Sequence, residues 1–289
     1  MQTAITTTNS QVFPSQASSD EQLVALWLHG RPANTVVAYR RDVERLLAHT
    51  GKTLAATTLS DLQSFVDDLS GSDNTKKRTI NAVKSLLSFG QKVGYLAWNV
   101  GAALKAPKPK STLAQRILSE SDVHRMIAFT SKKRDRVLLT VLYASAARVS
   151  ELCALVWNDC QTNGNAGQVT LYGKGGKTRA VVVSKSTWQQ LVSLRPAGAA
   201  GTDPVFVSQK GGSLDESQVH RIVATAAERA GIEGNVSPHW LRHSHASHAI
   251  DRGATVVLVR DTLGHSSLAV TSMYAHAKPT ESSALHLSV

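Results

Sequence analysis

Apolar residues in the first hundred positions recur at the spacing of a helix face. Over Asn34–Thr50 they fall at Val36, Tyr39, Val43, Leu46 and Leu47, one stripe of a period near 3.6. Pro32 and Asn34 stand before this run and Gly51 after it, as start and stop signals. Ser60 is placed to cap a second helix with Leu62, Phe65, Val66 and Leu69 inward. Thr75 opens a third, with Ile80, Val83, Leu86 and Leu87 inward and Gly94 near its end, and residues 20–29 add a first helix. The pattern is that of a small helical domain.

It stops at Lys105-Ala-Pro-Lys-Pro-Lys110-Ser-Thr. Two prolines cannot continue a helix, and the segment reads as an extended basic linker. Beyond it, Ser119-Glu-Ser-Asp122 resembles a capping box. Arg134–Leu155 is a long helical stretch with a break near Ala144–Ala147. Gln168–Val183 holds two β-branched runs around Gly-Lys-Gly-Gly, a β-hairpin. Thr187–Leu194 reads as a short helix and Pro204–Val207 as a short strand. Helices follow over Ser217–Ala230, Pro238–Arg252 and Thr255–Leu263, each stopped by a glycine, and another over Ser266–Tyr274. The expected fold class is mainly α with a small antiparallel sheet. Its divisions are a disordered tail over 1–19, a helical domain over 20–104, a linker over 105–116 and a mixed α/β domain over 117–289.

The composition, 42% hydrophobic and 18% charged, is enough to build cores and excludes a wholly disordered chain. The 32 Lys+Arg against 21 Asp+Glu give a net charge of +11, which points to a polyanion. Residues 20–105 hold 11 basic and 8 acidic side chains, net +3, and residues 106–289 hold 21 and 13, net +8. Candidate contacts to a polyanion are Arg40, Arg41, Arg45, Lys76, Lys77, Arg78 and Lys84 on helix faces and Lys105, Lys108 and Lys110 in the linker. The longest nearly apolar run, Val137–Ala147, is 11 residues, too short to span a bilayer. Residues 1–19 hold no Lys or Arg and no apolar stretch, so no signal peptide is expected. Cys153 and Cys160 form no C-x-x-C pair, and two reduced thiols in a cytoplasmic protein are expected.

Three segments carry candidate chemistry. In Ala146-Ala-Arg148-Val-Ser-Glu151-Leu an arginine sits in an apolar stretch, which by itself suits a buried Arg148–Glu151 pair. In Pro238-His239-Trp-Leu-Arg242-His243, His239 and Arg242 share one face at a helix start. The nearby His243, His245 and His248 raise metal binding, but Trp240 stands where the H-E-x-x-H motif needs Glu, so these three suit packing or hydrogen bonding better. The third segment, Leu263-Gly-His265, leads to Tyr274 and His276; a lone tyrosine is usually a packing residue. Gly173-Lys-Gly-Gly-Lys-Thr lacks the spacing of a nucleotide-binding P-loop.

Taken in order, Arg148, Lys174, His239, Arg242, His265 and Tyr274 resemble the tyrosine recombinase (phage integrase) family, at family-like distances over about residues 20–280. The N-terminal Thr35-x-x-x-Tyr39 helix resembles the family's core-binding domain, and the length is most like the Xer-type branch. The departures are Ala146-Ala147 before the first arginine, Asn99-Val100 in place of Asn-Pro, and His245 in place of Phe. The resemblance implies a site-specific recombinase that clamps duplex DNA between its two domains. It cuts through a 3′-phosphotyrosyl intermediate on Tyr274 and needs no metal, cofactor or ATP. Arg148 and Arg242 would fork onto the phosphate, and His265 would donate to it. His239 would donate to it or take the tyrosine proton, and Lys174 would protonate the leaving 5′-oxygen. Lys177 and Arg179 on the same hairpin join the DNA contacts. Four protomers would assemble on two sites, alone or with a paralogous recombinase, and Pro279–Val289 would pack on a neighbour. The rival readings are a type IB topoisomerase and a DNA-binding regulator with a silent site.

Overall fold

The first helix, α1 (Asp20–Leu28), opens on Ser19, whose side chain accepts from the Gln22 N–H. The computed structural model describes residues 15–108, 111–173 and 176–275, and the chain divides into two units, Met1–Lys110 and Ser111–Val289. In the first unit α1 is followed by α2 (Ala33–Thr50), α3 (Leu59–Asp67) and α4 (Asp73–Lys92). Leu23, Leu46, Leu62, Ile80, Leu86 and Leu87 are fully buried in its core. α3 and α4 start earlier than the hydrophobic pattern places them. Thr58 forms a reciprocal capping box with Asp61, and Ser72 accepts from the Thr75 N–H, so Ser60 and Thr75 fall inside the first turns. A buried carboxylate joins distant segments, Asp20 accepting from Leu54 N at 2.9 Å and from Tyr95 Oη at 2.8 Å.

Two basic residues expected on free faces are engaged within the unit. Arg78 forks onto Asp42 at 2.5 and 3.0 Å, and Asp42, whose side chain is fully buried, also accepts from Thr79 Oγ1 at 3.1 Å. A buried carboxylate without that partner would be strongly destabilising, so Arg78 is tied to the fold, although its side chain remains 41% exposed. Lys84 is tied to the Leu104 carbonyl at 2.5 Å and the Ala102 carbonyl at 3.4 Å. Arg40, Arg41, Lys77, Lys105 and Lys108 are exposed and Lys76 is half-buried. Lys110 lies outside the described residues.

The second unit begins with α5 (Glu120–Ala128), α6 (Lys133–Ser145) and α7 (Val149–Cys153). The strands β1 (Cys160–Asn163), β2 (Ala166–Tyr172) and β3 (Thr178–Val183) form an antiparallel sheet in the order β1-β2-β3. Then come α8 (Lys185–Val192), α9 (Glu216–Arg229), α10 (Pro238–Asp251), α11 (Val256–Leu263) and α12 (Leu268–Ala275). β1 has no clear hydrophobic signal, because Cys-Gln-Thr-Asn is polar and mostly exposed. Pro204–Val207 is not a strand; it makes only the isolated bridges Val156–Pro204 and Val207–Ser213. The core holds Met126, Leu138, Leu139, Leu142 and Phe206, with Val169, Leu171, Val181 and Val183 from the inner face of the sheet. Among the described residues no helix is long and apolar enough to cross a membrane.

The helical stretch after Arg134 breaks at Ala146, which closes α6 in the left-handed region (φ 49°, ψ 31°). It is the one non-glycine residue with positive φ among the described residues, and it is fully buried. The left-handed conformation costs an L-residue roughly 1–2 kcal/mol, and the turn presents the Ala146 carbonyl to Arg242 Nη1 at 2.5 Å. Ala146→Gly relieves that strain while losing a buried methyl and gaining unfolded-state entropy, and its stability should lie within about 0.5 kcal/mol of the parent. The neighbouring buried Ala147→Gly has no strain to relieve and should cost about 1.5 kcal/mol. Urea melts of both variants check this; equal losses would mean that Ala146 stores no strain.

Candidate active site

The end of α11 is where the site is assembled. Thr255 caps the start of this helix, accepting from the Leu258 N–H, and Gly264 ends it at φ 64°. The last carbonyls of a helix lack intrahelical donors and carry its partial negative charge. Here three consecutive ones each accept from a different guanidinium. Thr262 O takes Arg179 Nε at 2.7 Å, Leu263 O takes Arg242 Nη2 at 2.5 Å, and Gly264 O takes Arg148 Nη2 at 3.3 Å. The arginines come from β3, from α10 and from the residue that caps α7.

Glu151 ties two of them together. Its Oε1 accepts from Arg148 Nη1 and Arg179 Nη1, both at 2.8 Å. Its Oε2 accepts from Arg179 Nη2 at 2.7 Å and from the Arg148 backbone N–H at 2.8 Å. Burial disfavours the carboxylate, but the hydrogen bonds from Arg179 and Arg148 outweigh it and hold the pKa of Glu151 at about 2. The side chain of Glu151 is 2% exposed and that of Arg148 is 32% exposed. The Arg148–Glu151 pair thus exists, and it leaves part of the guanidinium open to a ligand. Arg242 is buried; burial, with the charges of Arg148 and Arg179, lowers its pKa to about 10, so it remains a cation at neutral pH.

Tyr274 on α12 is almost wholly buried in a small cluster with Ala146, Ala246, Val259 and Leu263. Its hydroxyl lies 2.8 Å from His243 Nδ1. The histidine beside the phenol is therefore His243, and His239 stacks behind it with ring centroids 6.4 Å apart. Burial raises the Tyr274 pKa, with Arg242 pulling it down. Burial and neighbouring positive groups lower His243 to about 4, which leaves a neutral ring at neutral pH. His265 is lowered to about 4, by burial and then by the fields of Arg242, Arg148 and Arg179. Its Nδ1 is 2.9 Å from Thr271 Oγ1, which leaves Nε2 for a ligand, and its ring stacks on that of Tyr274 at 6.4 Å. His239 is lowered by burial and by the charge of Arg242.

The other α10 histidines hold the scaffold. His248 Nε2 is 2.9 Å from the Leu118 carbonyl and its Nδ1 2.8 Å from Tyr143 Oη, while His245 Nδ1 is 2.8 Å from the Tyr143 carbonyl. Among the described residues no three His, Cys, Asp or Glu side chains are grouped to hold a metal ion.

An open cleft of about 610 Å³ is lined by Arg148, Lys177, Arg179, Gly264, His265 and Ser266. Lys177 is exposed there, whereas Lys174 lies outside the described residues. Arg179, expected to touch DNA, is only 11% exposed and is held by Glu151 and Thr262, which corrects that expectation. A signal was present: Arg179 alternates with the buried Val181 and Val183, the inward face of β3. The His243–Tyr274 contact had no comparable signal, since the two residues are 31 apart.

Two family models match the chain, the phage integrase family over residues 116–281 and its N-terminal SAM-like domain over residues 24–92. A tyrosine recombinase XerC of Xanthomonas campestris pv. campestris is 34% identical over 261 residues, covering 84% of this chain and 79% of that protein. A tyrosine recombinase XerD of Corynebacterium glutamicum is 32% identical over 271 residues, covering 86% of this chain and 88% of that protein. In fold, the chain matches XerH site-specific recombinase in its post-cleavage complex with a TM-score of 0.76 at 21% identity, covering 94% of this chain and 85% of that one. The helical first unit and the mixed second unit with its small antiparallel sheet thus match tyrosine recombinases, and the chain belongs to the phage integrase family.

Proposed function

We propose that this protein is a site-specific DNA recombinase of the Xer type that cuts and rejoins duplex DNA through a 3′-phosphotyrosyl bond to Tyr274, without metal or ATP. The observation that carries the reading is the gathering of Arg148 and Arg242 on the end of α11 with His265 stacked on the ring of Tyr274. The XerC and XerD relatives are recombinases, which favours this reading over a relaxing topoisomerase or a silent regulator.

The chemistry follows from the groups present. Guanidiniums suit the non-bridging oxygens of a phosphodiester because they donate in a planar fork and stay charged. Arg148 offers donors to the cleft, Arg242 supplies fixed charge behind it, and His265 donates from Nε2. The Tyr274 proton leaves to a neutral imidazole or to solvent, and the phenolate oxygen bonds phosphorus. The P–O5′ bond breaks, and Lys174 protonates the departing oxygen. The phosphotyrosyl bond stores the bond energy for rejoining. The exposed Arg40, Arg41, Lys77, Lys105, Lys108 and Lys177, with Lys76 and Lys110, contact the DNA backbone. XerH is bound to its substrate in the solved structure, and a lambda integrase tetramer is bound to a Holliday junction. By analogy, four copies of this chain act on two sites, alone or with a paralogue, in the cytoplasm at the nucleoid. The segment 279–289, which would pack on a neighbour, lies outside the described residues.

A duplex selected for binding from a random-sequence pool, then nicked beside the scissile phosphate, serves as probe. Wild-type protein should form a covalent complex that survives a denaturing gel, and Tyr274→Phe should bind the duplex and form none. A covalent band with Tyr274→Phe would sink the assignment.

In low to moderate salt, log Kd should be linear in log salt concentration, with a slope near 0.9 for each phosphate neutralised. Replacing Lys105, Lys108 and Lys110 together by Ala should flatten it by up to about three units, because the slope drops by about one for every phosphate that is no longer neutralised. An unchanged slope would remove the linker from the DNA contacts.

For Lys174, the bridging 5′-oxygen is replaced by sulfur. A thiol has a pKa of about 8.5, against about 15.7 for water as a proxy for the alcohol, so a thiolate leaves without a proton. Lys174→Ala should be slower on oxygen by roughly a hundredfold to ten-thousandfold and recover most of the rate on sulfur, while Arg148→Ala and Arg242→Ala should not recover. Equal slowness on both substrates would assign Lys174 to positioning and make Lys177 the nearest candidate acid.

A further inference from the structure

Arg179 stands beside the cleft, carries a full positive charge, and has each nitrogen of its guanidinium engaged within the protein. Nε is held by the Thr262 carbonyl at 2.7 Å, Nη1 by Glu151 Oε1 at 2.8 Å and Nη2 by Glu151 Oε2 at 2.7 Å. This is a bidentate fork on a carboxylate of α7 with a third anchor on α11, so one side chain of β3 links all three elements. Gly264 makes room for it: a Cβ there would sit 3.2 Å from Arg179 Cδ and 3.4 Å from its Nη1.

We propose that Arg179 is a positioning residue for the recombination chemistry, acting through Glu151 to fix Arg148 and to keep its charge available to the scissile phosphate. The inference rests on the recombinase reading above. Glu151 Oε1 is shared between Arg148 Nη1 and Arg179 Nη1. Arg148 and Glu151 alone would form a neutral pair, with the buried carboxylate drawing the guanidinium onto itself. Arg179 supplies the second cation, so the three groups carry a net charge of one, and that surplus sits on Arg148, the most exposed of them. The fork matters as much as the charge, because it engages both oxygens of Glu151 and leaves Arg148 one side-chain contact on Oε1 and one backbone contact on Oε2. A lysine at this position would reach one carboxylate oxygen and lose either the other or Thr262.

The test uses the nicked selected duplex and the full chain. At saturating protein, Arg179→Met should form the covalent complex roughly ten- to a hundredfold more slowly, the range seen when a partner that orients a ligating group is removed. Its Kd should stay within about twofold, and its salt slope should be unchanged, because a phosphate contact would shift that slope by about one. Arg179→Lys should fall between. Adding Glu151→Gln to Arg179→Met should restore at least several-fold of the lost rate, since the amide still accepts from Arg148 but no longer neutralises it. A structural role alone predicts no such recovery. Should Arg179→Met fail to fold by its thermal melt, the Lys variant, alone and combined with Glu151→Gln, carries the same comparison. A wild-type rate in the Arg179 variants overturns the proposal, as does a weaker Kd with a flatter salt slope and no recovery by Glu151→Gln. Absence of a covalent complex with the wild-type chain would instead overturn the assignment of Tyr274, and the positioning role with it.

Discussion

Bringing several guanidiniums to one phosphate site means holding like charges together in a partly dry place before the phosphate arrives. Two unit charges about 5 Å apart repel by about 3 kcal/mol at an effective dielectric of about 20. This protein meets that constraint with the end of one helix and one carboxylate. Thr262, Leu263 and Gly264 each present a carbonyl to a different arginine, and Glu151 lies between two of them. The depressed pKa of Arg242, about 10, reflects its burial first and then the repulsion from Arg148 and Arg179 that remains.

Much of the second unit can be read as a consequence. The α6–α7 break exists where the Ala146 carbonyl must face Arg242, and that requirement explains a buried non-glycine residue at positive φ. The Arg148 side chain leaves the start of α7, so Glu151, three residues on, can reach both its backbone and its guanidinium. β3 directs Arg179 inward with Val181 and Val183, and the αL turn at Gly264 lets that arginine approach. A helix C-terminus, a strand and a capped helix start converge on one cluster of charge.

The sequence disclosed the parts of this site whose signal is local. His239 and Arg242 are three apart, Arg148 and Glu151 are three apart, and Leu263-Gly-His265 is contiguous. Helix faces in the first unit were equally visible, because each buried stripe repeats within its own segment. What stayed hidden depends on long-range partners. The partner of Arg78 is Asp42, 36 residues away, beyond the reach of any local pattern. The charge of Arg179 suggests a DNA contact, whereas its strand parity turns it inward with Val181 and Val183. β1 is polar and pairs only because β2 offers it an edge, and the caps Thr58 and Ser72 lay just ahead of the residues that hydrophobic periodicity marks.

Tyr274 poses the remaining physical problem, since under the proposed function its hydroxyl would be the nucleophile, yet the ring is packed among Ala146, Ala246, Val259 and Leu263 and does not line the cleft. Its ring burial is worth about 2 kcal/mol and the hydrogen bond to His243 about 1 kcal/mol. Exposing the hydroxyl to phosphorus therefore costs about 3 kcal/mol, a sum that contacts along a long duplex can offset. α12 is suited to that exchange. It is eight residues long, buries only Thr271 and Tyr274, and already exposes Leu268, Val270 and Met273. Burial raises the phenol pKa and Arg242 opposes that rise, so under the proposed function the cation that would face the phosphate would also favour the phenolate. Nucleophile activation and phosphate binding would then be two effects of one fixed charge, which the carbonyl ends of α6 and α11 hold in place.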